Sequence, residues 1–176
     1  MSRRPVVDLA HMHTVYERER DEMASANDEG ATATIRAVAK VEHNTRIGIR
    51  VGRFTFQSDE PIERGGEGAA PTPLQYFAAG IASCLLTQLV RFSPQFNVQI
   101  DAAETDVRFV IDKREKFGLH GSGSAAQYVE VRIDVHSPSD PEHIQQLIAH
   151  AEHSCHAEQS LIQPIEVKSV ATVHGS

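Results

Sequence analysis

Tryptophan is absent from this chain, and cysteine occurs only twice, at Cys84 and Cys155. So few thiols leave no framework of disulfide staples. A single domain of 176 residues needs none, because its core is large enough to hold without disulfide or metal support. Positive charge is also short: 17 Lys and Arg stand against 24 Asp and Glu, for a net charge of −7. That balance argues against nucleic acid as a partner, which would require a clustered cationic face. The first ten residues carry Arg3 and Arg4 but lack the apolar run of an export signal, so a cytoplasmic location is expected. In such a compartment thiols stay reduced, and a cysteine pair there points to catalysis or redox chemistry before it points to a staple.

Charge is missing altogether from Gly68 to Val90. A membrane span is one reading of that gap, but Pro71, Pro73, Gln75, Thr87 and Gln88 interrupt it. Its helical part, roughly 17–20 residues, sits at the lower limit for crossing a bilayer. A buried core helix with no membrane partner is expected instead. A helix uncharged all round must be covered all round, and in a domain this small the cover includes a second subunit.

Residues 1–30 are rich in charge and too poor in apolar positions for a core stripe. They read as an N-terminal extension, helical over about Val6–Ser25, with the main domain at 31–176. Ile35, Ala37, Ala39 and Val41 alternate with polar residues as a strand does, and Glu42 to Thr45 supplies turn chemistry. Ile47, Ile49 and Val51 begin a second strand, and the parity shift to Phe54 and Phe56 after Gly52 suggests a bulge. The glycines and prolines of Ser58–Thr72 make a crossover loop. A phosphate cradle at Gly65-Gly66-Glu67-Gly68 is disfavoured, because the loop carries acid and lacks the Lys-Ser/Thr pair.

Thr72 and Pro73 then open the uncharged helix, and Pro94 closes it. Val98–Ile111 reads as a long strand with a bend between Ala102 and Val107. Val129 to Val135 alternate strictly, as a strand with one wet face does. A second helix follows Pro141, with Ile144, Leu147, Ile148, Ala151 and Cys155 on one stripe. A short turn through Leu161 leads to a last strand over Ile165–Val173. The expected class is α+β, with helices on one side of a largely antiparallel sheet.

A thiol attacks as its thiolate, and an apolar setting raises its pKa unless a cation stands near. Cys84 lies too deep in its helix for the helix N-terminus to help, and Arg91 is roughly 10 Å further along the axis. The cation must come from another segment, and Arg46, Arg50 and Arg53 are the supply, with Arg46 at a hairpin tip.

Three blocks carry a family resemblance: Asp59-Glu60-Pro61 with Gly65-Gly66-Glu67, then Pro71-Thr72-Pro73-Leu74 leading to Ala78-Ala79-Gly80-Ile81-Ala82-Ser83-Cys84, then Cys155 with Leu161 six residues on. From about residue 31 onward the chain resembles the OsmC/Ohr family of thiol-dependent hydroperoxide reductases. The resemblance implies an intertwined homodimer of antiparallel sheets around a long central helix, with active sites at the subunit interface. It implies Cys84 as the peroxidatic thiolate and Cys155 as the resolving thiol, with Arg46, or else Arg53, as the activating arginine. The substrate it implies is a small organic hydroperoxide or hydrogen peroxide, and the reductant a dithiol of lipoyl type. No cofactor and no metal are implied. Family members that reduce organic hydroperoxides carry a glutamate ten residues before the first cysteine, where it holds the arginine. That position is Leu74 here, and neighbouring Gln75 can hydrogen-bond a guanidinium without neutralising it. The resemblance is therefore to an OsmC-like branch.

Other readings compete. Either cysteine alone is consistent with a small packed hydrophobe. His150, His153, Cys155 and His156 are a candidate metal donor set, though their spacing only approaches the single-face arrangement that helical zinc sites use. Against the peroxidase stands a non-catalytic module that holds a small hydrophobic molecule at the dimer interface.

Overall fold

A computed structural model describes residues 5–175, so Arg3 and Arg4 lie outside the described residues. Helix α1, Leu9–Ser25, is capped by Asp8, whose carboxylate accepts from the His11 N–H at 3.0 Å. None of its own residues is buried, as the sparse apolar pattern implied. The extension is nevertheless tied down. Val7 enters the core, the Val6 N–H donates to the Ile100 carbonyl, Tyr16 meets the Phe92 ring edge-on, and Glu19 pairs with Arg91.

Strands β1 (Ala37–His43), β2 (Arg46–Val51) and β3 (Phe54–Ser58) form one antiparallel sheet in sequence order. The bulge expected at Gly52 is a chain reversal: Val51 pairs directly with Phe54 across a two-residue turn. Gly52 takes φ +56°, the left-handed conformation that such hairpin turns require. The register puts Val41, Ile47, Ile49, Val51, Phe54 and Phe56 on one face.

Helix α2, Pro73–Phe92, starts where expected, with Thr72 and Gln75 forming a reciprocal capping box and proline in the first turn. It buries Ile81, Leu85, Gln88 and Leu89 against β4, α3 and α4. Its length and mean hydropathy of 1.3 meet the measure of a membrane span, but that stripe belongs to a core. The cover is one-sided, since Leu74 and Phe77 are about half exposed within the chain. The long strand expected from Val98 begins only at Ala102: β4, Ala102–Ile111, pairs in unbroken register with β5, Ala126–His136, up to Val110. Val98 and Ile100 change parity because they precede the ribbon and drop into the core. No register shift lies between Ala102 and Val107.

Helix α3 (Pro141–Ser154) and helix α4 (His156–Ile162) flank Cys155. The turn expected through Leu161 is thus a helix. The strand expected over Ile165–Val173 does not form: the segment has no regular secondary structure, is unpaired and is exposed. Among the described residues the class is α+β, as expected, with four helices and two antiparallel sheets, β1-β2-β3 and β4-β5. The core gathers Leu85, Leu89, Val98, Ile100, Leu147, Ala151 and Cys155 at full burial. Each fully buried aliphatic side chain there stabilises by about 1.5–3 kcal/mol.

Candidate active site

Cys84 sits midway along α2, partly buried and packed against the core cluster that contains Cys155. Cys155 is completely buried and has two structural duties: it ends α3, its N–H donating to the Glu152 carbonyl at 3.3 Å, and it caps the start of α4. The two residues lie close enough to act on each other. Burial pushes the Cys155 thiol up, and the neighbouring Cys84 adds to the rise. The backbone N–H groups of Glu158 and Ala157 pull the other way without reversing it. Both thiols are free.

The arginines stand elsewhere in the chain. Arg46 opens β2 and pairs with Glu67 of the crossover loop, while its Nε is buried without a partner. Glu67, rather than a residue at position 74, is therefore the carboxylate that holds Arg46 here. Arg53 lies in the hairpin turn over the Phe54 ring, 5.1 Å from its centroid. Neither guanidinium is among the groups that shift Cys155.

Asp59, to which the sequence pattern gives no role, organises that loop. It is almost completely buried, and its carboxylate accepts from the Thr45 hydroxyl at 3.0 Å and from the backbone N–H groups of Glu60, Glu67 and Ala69 at 2.9, 3.0 and 3.2 Å. Burial alone would raise its pKa, but these donors outweigh it and hold the carboxyl at about 2. Gly66 completes the turn: a Cβ there would collide with the Glu60 carbonyl oxygen. The loop is a built bracket for Glu67, and through it for Arg46. The only signal in the sequence was an acid ahead of a Gly-Gly pair.

A mainly apolar cavity of about 800 Å³ opens at the start of α2, walled by Leu74, Phe77, Phe109, Tyr128 and Leu161, with Glu60, Arg64, Asp112, Lys113 and Lys116 also in its lining. Neither cysteine lines it. The histidine cluster does not assemble as a metal site: His150 packs edge-on to Phe92 and lies against Phe96, and among the described residues no three such donors converge.

This strand-helix-strand-helix frame is found in other proteins. The profile of the family described as OsmC-like protein matches residues 66–170, more than half of the chain. The chain belongs to the OsmC-like family. Its fold superposes on an OsmC-like protein from Mycoplasma pneumoniae with a TM-score of 0.63 at 18% identity, covering 74% of this chain and 88% of that one. An OsmC-like hydroperoxide resistance protein from Jannaschia sp. CCS1 gives a TM-score of 0.51 at 25% identity, over 78% and 91% of the two chains. The organic hydroperoxide resistance protein OhrB of Bacillus subtilis gives 0.50 at 22%, over 73% and 90%. No curated protein matches the sequence. This OsmC-like chain thus shares its architecture with proteins named for hydroperoxide resistance.

Proposed function

We propose that this protein is a thiol-dependent peroxidase that reduces organic hydroperoxides or hydrogen peroxide by cycling Cys84 and Cys155. The observation that carries the reading is that Cys84, partly accessible, packs against the buried cluster that seals Cys155. The accessible thiolate, Cys84, attacks the terminal peroxide oxygen; an S–O bond forms, the O–O bond breaks, and the alkoxide takes a proton to leave as alcohol. Cys155 then attacks the Cys84 sulfenic acid, an S–S bond replaces the S–O bond, and water departs. A dithiol of lipoyl type restores both thiols by exchange, which suits a reducing, cytoplasmic setting. A guanidinium, Arg46 first and Arg53 second, stabilises the thiolate and the leaving alkoxide.

Within the single chain Arg46 is held by Glu67 and Arg53 lies over Phe54, and the reading therefore includes a homodimer. Three surfaces support it: the apolar face of β1-β2-β3, with Val41 and Phe54 more than 60% exposed; the uncovered start of α2; and the unpaired Ile165–Val173 segment. The test is peroxide turnover with tert-butyl hydroperoxide and dihydrolipoate. Wild type should consume peroxide, and Cys84→Ser should lose all turnover above background. Equal, negligible rates in both proteins would reject the peroxidase.

A second reading, a module that binds a small hydrophobic molecule, is favoured by one observation. The large apolar cavity has Leu74 in its wall and no thiol. Retention of a hydrophobic dye by a Cys84→Ser protein that matches an equally inactive wild type would favour it.

A further inference from the structure

Cys155 is a poor nucleophile as it stands, because burial and its neighbour Cys84 both keep its proton on. Closure onto Cys84 therefore requires a base within the interior. The histidines nearby in sequence are badly placed for that duty. His153 and His156 are exposed, and His150 is held against Phe92 and Phe96.

Glu158 is different. It lies three residues after Cys155, in the first turn of α4, and its backbone N–H faces the Cys155 sulfur. Cys155-His156-Ala157-Glu158 has the spacing of a capping box, in which the third-position carboxylate reaches back to the backbone N–H of the cap residue. Here that N–H is already given to the Glu152 carbonyl, which also accepts from the Gln159 side chain at 3.0 Å. The Glu158 carboxylate is left without its usual donor. Its Oε2 is sealed from solvent with no hydrogen-bond partner, one of only two such side-chain atoms among the described residues.

We infer that Glu158 is the base that removes the Cys155 proton when Cys155 closes onto Cys84, an assignment that rests on the two-cysteine reading above. The Cys155 S–H bond breaks and its proton moves to the Glu158 carboxylate. The thiolate forms the S–S bond to the Cys84 sulfenic sulfur as the S–O bond breaks, and the departing hydroxide takes the proton back from Glu158 as water. Burial first, and then the charge of Glu152 on α3, raise the Glu158 pKa, which strengthens it as a base while it remains ionised. The other packed helix, α2, presents Cys84 and no charge before Arg91, which is engaged by Glu19.

The test uses the full chain and needs no peroxide. Cys84, the more accessible thiol, is loaded with the chromogenic thionitrobenzoate group of dithiobis(nitrobenzoate), and its displacement by Cys155 is followed by absorbance from pH 5 to 9. That leaving group departs without a proton, so the assay isolates deprotonation of Cys155. Wild type should reach a plateau once Glu158 is ionised. Glu158→Gln should be about tenfold or more slower at pH 7 and should keep rising with pH as free thiolate appears. Glu158→Asp, which keeps the carboxylate, should restore the plateau in part. Identical profiles for wild type and Glu158→Gln, a Glu158→Asp profile without a plateau, or no release by wild type would each overturn the assignment. The expected release profiles in a protein that peroxide leaves unoxidised would instead reject the peroxidase and leave the base in place.

Discussion

Strand β5 and strands β1 to β3 are made of the same material, alternating valine, isoleucine and aromatic residues, yet their surroundings differ. Val131, Ile133 and Val135 of β5 pack against the helical core, whereas every residue of β1 is exposed and Val41 and Phe54 face outward. The two-stranded ribbon finds its cover within the chain, in α2 and the core cluster that α2 shares with α3. The three-stranded sheet touches α2 through Phe56 and Tyr76, whose rings lie 5.1 Å apart, and through the Tyr76 hydroxyl, which donates to the Gln57 carbonyl; it leaves Val41 and Phe54 of its apolar face exposed. Alternation reports that a face must be covered; it does not report by which chain.

That contrast can be broken first in the core. Leu85→Ala, at a position with no exposure, should cost about 2–5 kcal/mol in denaturant unfolding. A loss near zero would mean that α2 is not the centre of the packed half. On the open side the same kind of measurement should barely move. Val41→Glu with Phe54→Glu should alter monomer stability by only about 0.5 kcal/mol per site, as surface changes do, but should shift light-scattering mass from dimer to monomer. An unchanged mass would show that the face is not an interface between copies.

The smallest effect concerns the loop that joins the two halves. Because Asp59 is held at about 2, below the ordinary carboxylate value of 3.8, its contribution is complete above pH 4 and is lost as pH falls through 4 towards 2. Limited proteolysis by pepsin should therefore open residues 58–72 over that range. Asp59→Asn should open them at every pH, and a loop equally resistant in both proteins would remove Asp59 from its organising role.

How much of this was legible follows from what each signal reports. Thr72-Pro73 marked the start of α2 because capping is local chemistry, and Val129 to Val135 marked β5 because their pattern has no competing period. Gly52 was ambiguous in principle, since a bulge and a two-residue reversal shift apolar parity alike. Ile165 to Val173 read as a strand because β-branched residues favour extended backbone, but a strand also needs a neighbour, and the chain itself supplies none. The thiol pair was accessible through the family blocks. Glu67 and Asp59 stand in the same blocks, but their hold on Arg46 was not readable, because an acid in a glycine-rich loop looks the same whether it is solvated or buried.

Cys155 belongs to no helix and terminates two. A bond from it to Cys84 would fasten the middle of α2 to the joint between α3 and α4, so that one covalent knot immobilises three rods. Oxidation would then be written into the stiffness of the whole packed half, and amide exchange across all three helices would slow together when the knot is tied.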